Sequence, residues 1–161
     1  MSVNSQNFAI AHSQIKNIIA PQPVASAGAT TSSAVDLETV AAAEAAAFVV
    51  TAGTLGTSGT LAIKVQGSAD DSTYTDLTGA AITITAAQFA AGLTAVPVSI
   101  GRSKAQALFD STGASKCRYL KLVVTTSAAN ATIAATYLPS QAKEQPQGTT
   151  VNGTDFLAMS N

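Results

Sequence analysis

The 161-residue chain carries 8 basic and 9 acidic side chains, a formal net charge of -1, and is 47% hydrophobic but only 11% charged and 5% aromatic. That length fits one domain, and a single globule of this size buries roughly two-thirds of its unfolded surface. The scattered basic residues offer no patch from which a phosphate backbone would displace counterions, so nucleic acid is not an expected partner. Abundant Ala, Thr, Ser and Gly suit thin, packed β layers better than a helical bundle.

Cys117 is the sole cysteine, so no disulfide within the chain can staple the fold. No cationic leader with an apolar core opens the sequence, and no run approaches the roughly 20 apolar residues that span a bilayer. The expectation is a soluble product assembled in the cytoplasm, with no membrane partner.

In chain order, Met1 to Ala20 is polar except for Phe8, Ile10, Ile15, Ile18 and Ile19, a spacing that permits either a short amphipathic helix ending before Pro21 or an extended arm. Pro21 to Ala29 reads as a Pro, Ala, Ser and Gly linker, and Thr31 to Leu37 has modest strand character. Val40 to Ala47 has the alanine content of a helix, yet Phe48, Val49 and Val50 before a Gly and Thr turn assign Ala46 to Ala52 to a strand. Thr54 to Gly59 is a loop.

Leu61 to Leu77 is the centre of the pattern. Leu61, Ile63 and Val65 alternate with Ala62, Lys64 and Gln66, so one face is core and the other is wet. Gly67 ends that strand, Ser68 to Ser72 form a polar turn, and a second short strand follows through Tyr74 and Leu77. Ala81 to Thr85 is a strand with Ile82 and Ile84 inward, and Ala86 to Ala91 a helical turn around Phe89. Val96, Val98 and Ile100 form a strand that Pro97 places at a sheet edge. Lys104 to Asp110 is a brief semi-apolar segment, and Ser111 to Ser115 a turn. Lys116 to Thr126, with Leu120, Leu122 and Val124 alternating, is the companion of Leu61 to Val65. Asn130 to Leu138 is the last strand, stopped by Pro139. The expected core is Leu61, Ile63, Val65, Ile82, Ile84, Leu120, Leu122 and Val124.

Short strands at regular spacing make the chain all-β, a jelly-roll or immunoglobulin-like β-sandwich with an extended N-terminal arm and a C-terminal tail. The divisions are 1–30 for arm and linker, 31–139 for the sandwich body, and 140–161 for a polar linker and docking tail. Val151, Phe156, Leu157 and Met159 beyond that linker imply that the tail docks, on its own body or on a neighbour.

Few side chains here can do chemistry. The lone His12 lies in the arm and Cys117 in a strand expected to be buried, so no nucleophile meets a base. Asp70, Asp71 and Asp76 lack the spacing of a calcium loop and read as turn residues. Lys64, Arg118 and Lys121 read as a wet sheet face, not an anion site. Gly53 to Gly59 lacks the Lys, and the placement of Ser or Thr beside it, that a phosphate cradle needs, and reads as a hairpin loop. Asn130-Ala131-Thr132 and Asn152-Gly153-Thr154 match glycosylation sequons by coincidence. Neither cofactor, metal nor catalytic residue is expected.

The segments VDL at 35–37, FVVTAG at 48–53, IKVQGSADDSTYTDL at 63–77, RYLKLVVT at 118–125 and ATIAATYL at 131–138 together resemble the β-sandwich decoration, or cement, proteins of tailed-phage heads. The resemblance covers roughly Val35 to Leu138. It implies a non-enzymatic virion protein on the outer capsid surface, bound to the major capsid protein and to neighbouring copies of itself, and a homo-oligomer when assembled. Intersubunit contacts would come from Phe8, Ile10, Ile15, Ile18, Ile19, Phe156, Leu157 and Met159. The strand, turn and R-Y-L-K-L pattern is also similar to discoidin-like jelly-roll modules, which gives the alternative of a carbohydrate-binding module. Trp is absent here, which removes the side chain that most often stacks on a sugar.

Overall fold

Residues 60–68 and 119–126 form the ladder their alternation predicts, with Leu61 opposite Thr126, Ile63 opposite Val124 and Val65 opposite Leu122. A computed structural model describes residues 15–24, 28–38, 45–53, 55, 59–90, 95–110, 113–127, 131–140 and 157–159. Its strands are β1 (Lys16–Val24), β2 (Ala29–Thr31), β3 (Val35–Asp36), β4 (Ala45–Ala52), β5 (Thr60–Ser68), β6 (Thr75–Thr85), β7 (Ala95–Gly101), β8 (Tyr119–Thr126), β9 (Ala131–Ser140) and β10 (Leu157–Met159). Helix α1 (Ala86–Ala90) joins β6 to β7, and α2 (Arg102–Phe109) joins β7 to β8.

The first sheet has the order β1-β9-β4-β7-β10 and the second β2-β8-β5-β6, with β3 continuing β2 along the same edge of β8. Pairing runs from the outside in: β1 with β9, β2 and β3 with β8, β4 with β7, β5 with β6, all antiparallel. A long hairpin paired this way and wrapped over a core is a jelly roll, which decides between the two sandwich types.

Inward-facing residues of both sheets make one core. Phe48, Val50, Val98, Ile100, Ile133 and Tyr137 of the first sheet face Leu61, Ile63, Val65, Ile84, Leu120, Leu122 and Val124 of the second, all buried. Burying each large aliphatic side chain is worth ~1.5–3 kcal/mol. Of the expected core, only Ile82 is half-buried, packed against the cluster from β6.

Several boundaries differ from expectation. The arm and linker of 1–30 include β1 and the first two residues of β2, so 16–24 is extended and not helical, but it is paired with β9 as part of the body, which begins by Lys16. Pro21 and Pro23 lie inside β1, where an edge position tolerates a missing N–H. Gly67 is the last residue but one of β5, and a Cβ there would stand 2.9 Å from Cys117 Sγ, 3.0 Å from Phe109 and 3.1 Å from Leu77. The second short strand and Ala81 to Thr85 are one strand, β6, interrupted by a bulge opposite Val65 that includes Gly79 at φ 86°. The segment from Lys104 is α2, and β9 continues through Pro139 to Ser140.

Candidate functional site

The two open sides of the sandwich are closed differently. On one side Ser33 donates from its backbone N–H to Ile18 O at 3.0 Å and from its hydroxyl to the same oxygen at 3.2 Å, tying the second sheet's edge to β1. Ser32 bridges the gap between β2 and β3. Its N–H donates to Leu122 O at 2.9 Å, and its hydroxyl accepts the Leu122 N–H at 2.9 Å in place of a ladder carbonyl. On the other side, β10 lies parallel to β7, with Leu157, Ala158 and Met159 opposite Val98, Ser99 and Ile100, and it also contacts β6. The ladder begins directly after Pro97, which has no N–H to donate.

Of the eight residues expected at intersubunit contacts, Phe8, Ile10 and Phe156 lie outside the described residues. Ile15 is exposed. Ile18 and Ile19 are buried in the chain's own core, which corrects their assignment to a neighbour's surface: Ile18 falls in the register shift between Asn17 and Ile19, so both can face inward although adjacent. Leu157 and Met159 sit in β10, paired with the chain's own β7.

The two outer faces contrast in charge. Outward positions of β4, β7 and β9 align in rows such as Ala47, Ser99 and Leu138, or Val49, Pro97 and Thr136, and none of the three strands contains a charged residue. The second sheet's outer face carries the ions. Lys64 donates to Asp76 at 2.8 Å and Gln66 to the same carboxylate at 2.6 Å, which holds Asp76 below the usual carboxylate range. Lys121 lies 3.9 Å from the centre of the Tyr74 ring and 3.7 Å from Asp71, and the Tyr74 hydroxyl donates to Asp71. Burial, with Asp71 beside it, pushes the Tyr74 hydroxyl well up.

Arg118 forks onto Asp36 at 3.1 and 2.8 Å, reaches Glu38 at 3.2 Å, and stands 4.9 Å over the Tyr119 ring. Lys116 also pairs with Glu38 and holds that carboxyl low. Each of Lys64, Lys116, Arg118 and Lys121 therefore already faces a carboxylate, an arrangement unlike an anion site.

Asp70 organises the β5–β6 turn. It accepts the N–H groups of Ser72 and Thr73 at 3.0 and 3.1 Å and the Ser68 hydroxyl at 3.1 Å, and these bonds, the Ser72 side chain foremost, pull its carboxyl far down. Asp71 takes φ 62°, a left-handed conformation that Asp tolerates in turns. All three aspartates are thus engaged by turn or sheet groups. Among the described residues no three His, Cys, Asp or Glu side chains converge as ligands would, and no helix is long and apolar enough to cross a membrane. His12 lies outside the described residues. Burial pushes the Cys117 thiol up to about 11, so it stays protonated at neutral pH. Gln106, which the sequence reading missed, clamps this corner by donating to Ser115 O at 2.6 Å and accepting the Cys117 N–H at 2.7 Å.

No family model and no curated protein matches the sequence. Among solved structures, the chain is similar to the PBSX exported protein XepA, with a TM-score of 0.49 and 11% identity over 88% of this chain and 43% of that one. It is also similar to infectious bursal disease virus structures, of the Gx strain (TM-score 0.44, 12% identity, 78% of this chain and 32% of that one) and of the Gt strain (0.40, 10%, 88% and 34%). The chain spans less than half of each of those chains. Likeness at this identity concerns the backbone course alone; the jelly roll rests on the chain's own strand order.

Proposed function

We propose that this chain is a non-enzymatic structural protein of a virus particle, a decoration protein on the outer surface of a tailed-phage capsid. It binds the major capsid protein and neighbouring copies of itself and is assembled in the host cytoplasm. The observation that carries the reading is the charge-free outer face of β9, β4 and β7, beside a second face whose ions are matched among themselves. Cores of protein interfaces are depleted of charge. The carbohydrate-binding alternative would use Tyr74 and Tyr119, but Lys121 and Arg118 lie over those rings, where a sugar would stack.

Thr136→Lys places a charge in the middle of the uncharged face and tests the reading. The expected result is a folded protein with a nearly unchanged melting temperature and sharply reduced occupancy on capsids in a cryo-electron map. Retention of the wild-type chain on a glycan array, with no binding to particles, would overturn the proposal in favour of the alternative.

A further inference from the structure

We propose that β10 is an exchangeable strand: the edge formed by β7 and β6 accepts residues 157–159 from a second copy of the chain as well as from its own. This deepens the reading above by naming what one copy gives its neighbour.

The first support is the kind of pairing. Every other ladder among the described strands is antiparallel and belongs to the wrapped hairpin, whereas β10 is added in parallel after the roll is complete. Addition of a short extended segment to a sheet edge is a general mode of recognition between chains, because the main-chain bonds do not depend on which chain supplies the strand. Removing β10 leaves Val98 to Ile100 as an open edge that an identical strand fits in the same register.

The second support is reach. Ser140 aligns with Ala45 and through it with Gly101, while Leu157 aligns with Val98. Docking in the same chain therefore spans three strand spacings, about 14 Å, and a step back of about 10 Å, roughly 17 Å in all. The 16 residues 141–156 that connect the two strands can extend to about 55 Å. A domain of this size has a radius of gyration of about 15 Å and is about 40 Å across, so the connection is long enough to reach the same edge on an adjoining copy.

Concentration selects between the two arrangements. Covalent connection through 16 residues gives the chain's own strand an effective concentration of the order of millimolar, so the chain closes on itself in dilute solution and exchanges where copies are packed together.

Ser99 and Ala158 are register partners, and paired Cα atoms of neighbouring strands lie within the span of a disulfide. The native Cys117 is buried and does not compete. The full-length double variant S99C/A158C and the two single variants, one of the latter with a mass tag, are unfolded, refolded and oxidised, the single variants as a mixture, at about 10 μM and about 1 mM, a range chosen around that effective concentration. Non-reducing gels then resolve the products. The expected result is closure of the double variant within one chain at the lower concentration, and a mixed dimer of the single variants that increases severalfold at the higher one.

Exchange is overturned if the double variant closes but the mixed dimer forms at neither concentration. A double variant that closes at neither concentration, although circular dichroism finds it folded, overturns the register and the proposal with it. Capsid occupancy of the wild-type chain is scored separately. Mixed dimers without capsid binding would leave exchange standing and remove the proposed function, and capsid binding without mixed dimers would do the reverse.

Discussion

The side of the sandwich closed by β1 and β2 differs from the side closed by β10 in how the closing segment is held. β1 contributes buried Ile18, Ile19 and Val24, pairs along β9 from Tyr137 to Ala131, and is joined to the second sheet through Ser33. β10 contributes three residues of ladder at the end of a 16-residue connection. The first closure is part of the core, and the second is an addition to a finished edge. The proposed exchange of β10 would therefore break a ladder of three residues and leave the β1 side as it is, since short peripheral elements open locally more readily than the body of a fold.

The largest effect should come from the β1 side. Ile19→Ala removes a side chain only 2% exposed and is expected to destabilise by ~2–5 kcal/mol in denaturant unfolding. Ile15→Ala, at an exposed position, should change stability by less than about 0.5 kcal/mol. A neutral Ile19→Ala would mean that β1 is not part of the core.

Next in size is Ser32→Ala, which strands the Leu122 N–H without its 2.9 Å acceptor. Because that amide is buried, the expected loss is ~1–3 kcal/mol in the same assay. An unchanged midpoint would show that the gap between β2 and β3 needs no side-chain bridge.

Tyr137, whose ring lies 5.6 Å from that of Phe48, should act in the opposite direction. Its hydroxyl is buried and has no hydrogen-bond partner among the described residues, so Tyr137→Phe is expected to raise stability by about 1 kcal/mol. Burial also pushes this hydroxyl from 10.0 up to about 12. Between those values the unfolded chain loses a proton that the folded chain keeps, so stability falls as pH rises, and Tyr137→Phe should flatten that alkaline limb. An unaltered limb, measured by melting temperature against pH, would place the hydroxyl in contact with water.

The parts legible in the sequence were those where period-two alternation meets a straight ladder, as in β5 and β8. Their partners and nearly all their core residues follow from Leu61, Ile63, Val65, Leu120, Leu122 and Val124. β1 was not legible, because its register shifts put adjacent Ile18 and Ile19 inward and because Pro21 and Pro23 suggest a linker wherever the edge position is unknown. Gly67 reads as the end of a strand, and Gly79 draws no reading at all. The first marks a close approach of Cys117, Phe109 and Leu77, and the second a bulge inside one strand. On the polar face, alternation identified Lys64 and Lys121 as outward, but no local signal could join Arg118 to Asp36 across 82 residues. Whether β10 would return to its own chain was left open by the sequence for the same reason: apolar residues after a polar linker specify docking and not the acceptor.

The smallest effect is expected at the turn leading into β6. Asp70 is held far below its ordinary value, so its contribution is fully present above about pH 4 and is lost as the pH falls towards that lowered value. Asp70→Asn should reduce the loss of melting temperature on acidification below pH 4, while leaving the response of the β1 side unchanged. Equal acid sensitivity in both proteins would show that the turn does not depend on the charge.

Native-state hydrogen exchange of the full chain compares the two sides directly. The Ser33 amide, bonded to Ile18 O, is predicted to exchange only through global unfolding, and the amides of Leu157 to Met159 at least about tenfold faster, a gap of about 1.4 kcal/mol or more. Equal protection of the two sides, or slower exchange in β10, would contradict the division into a closure built into the core and a strand added to its edge.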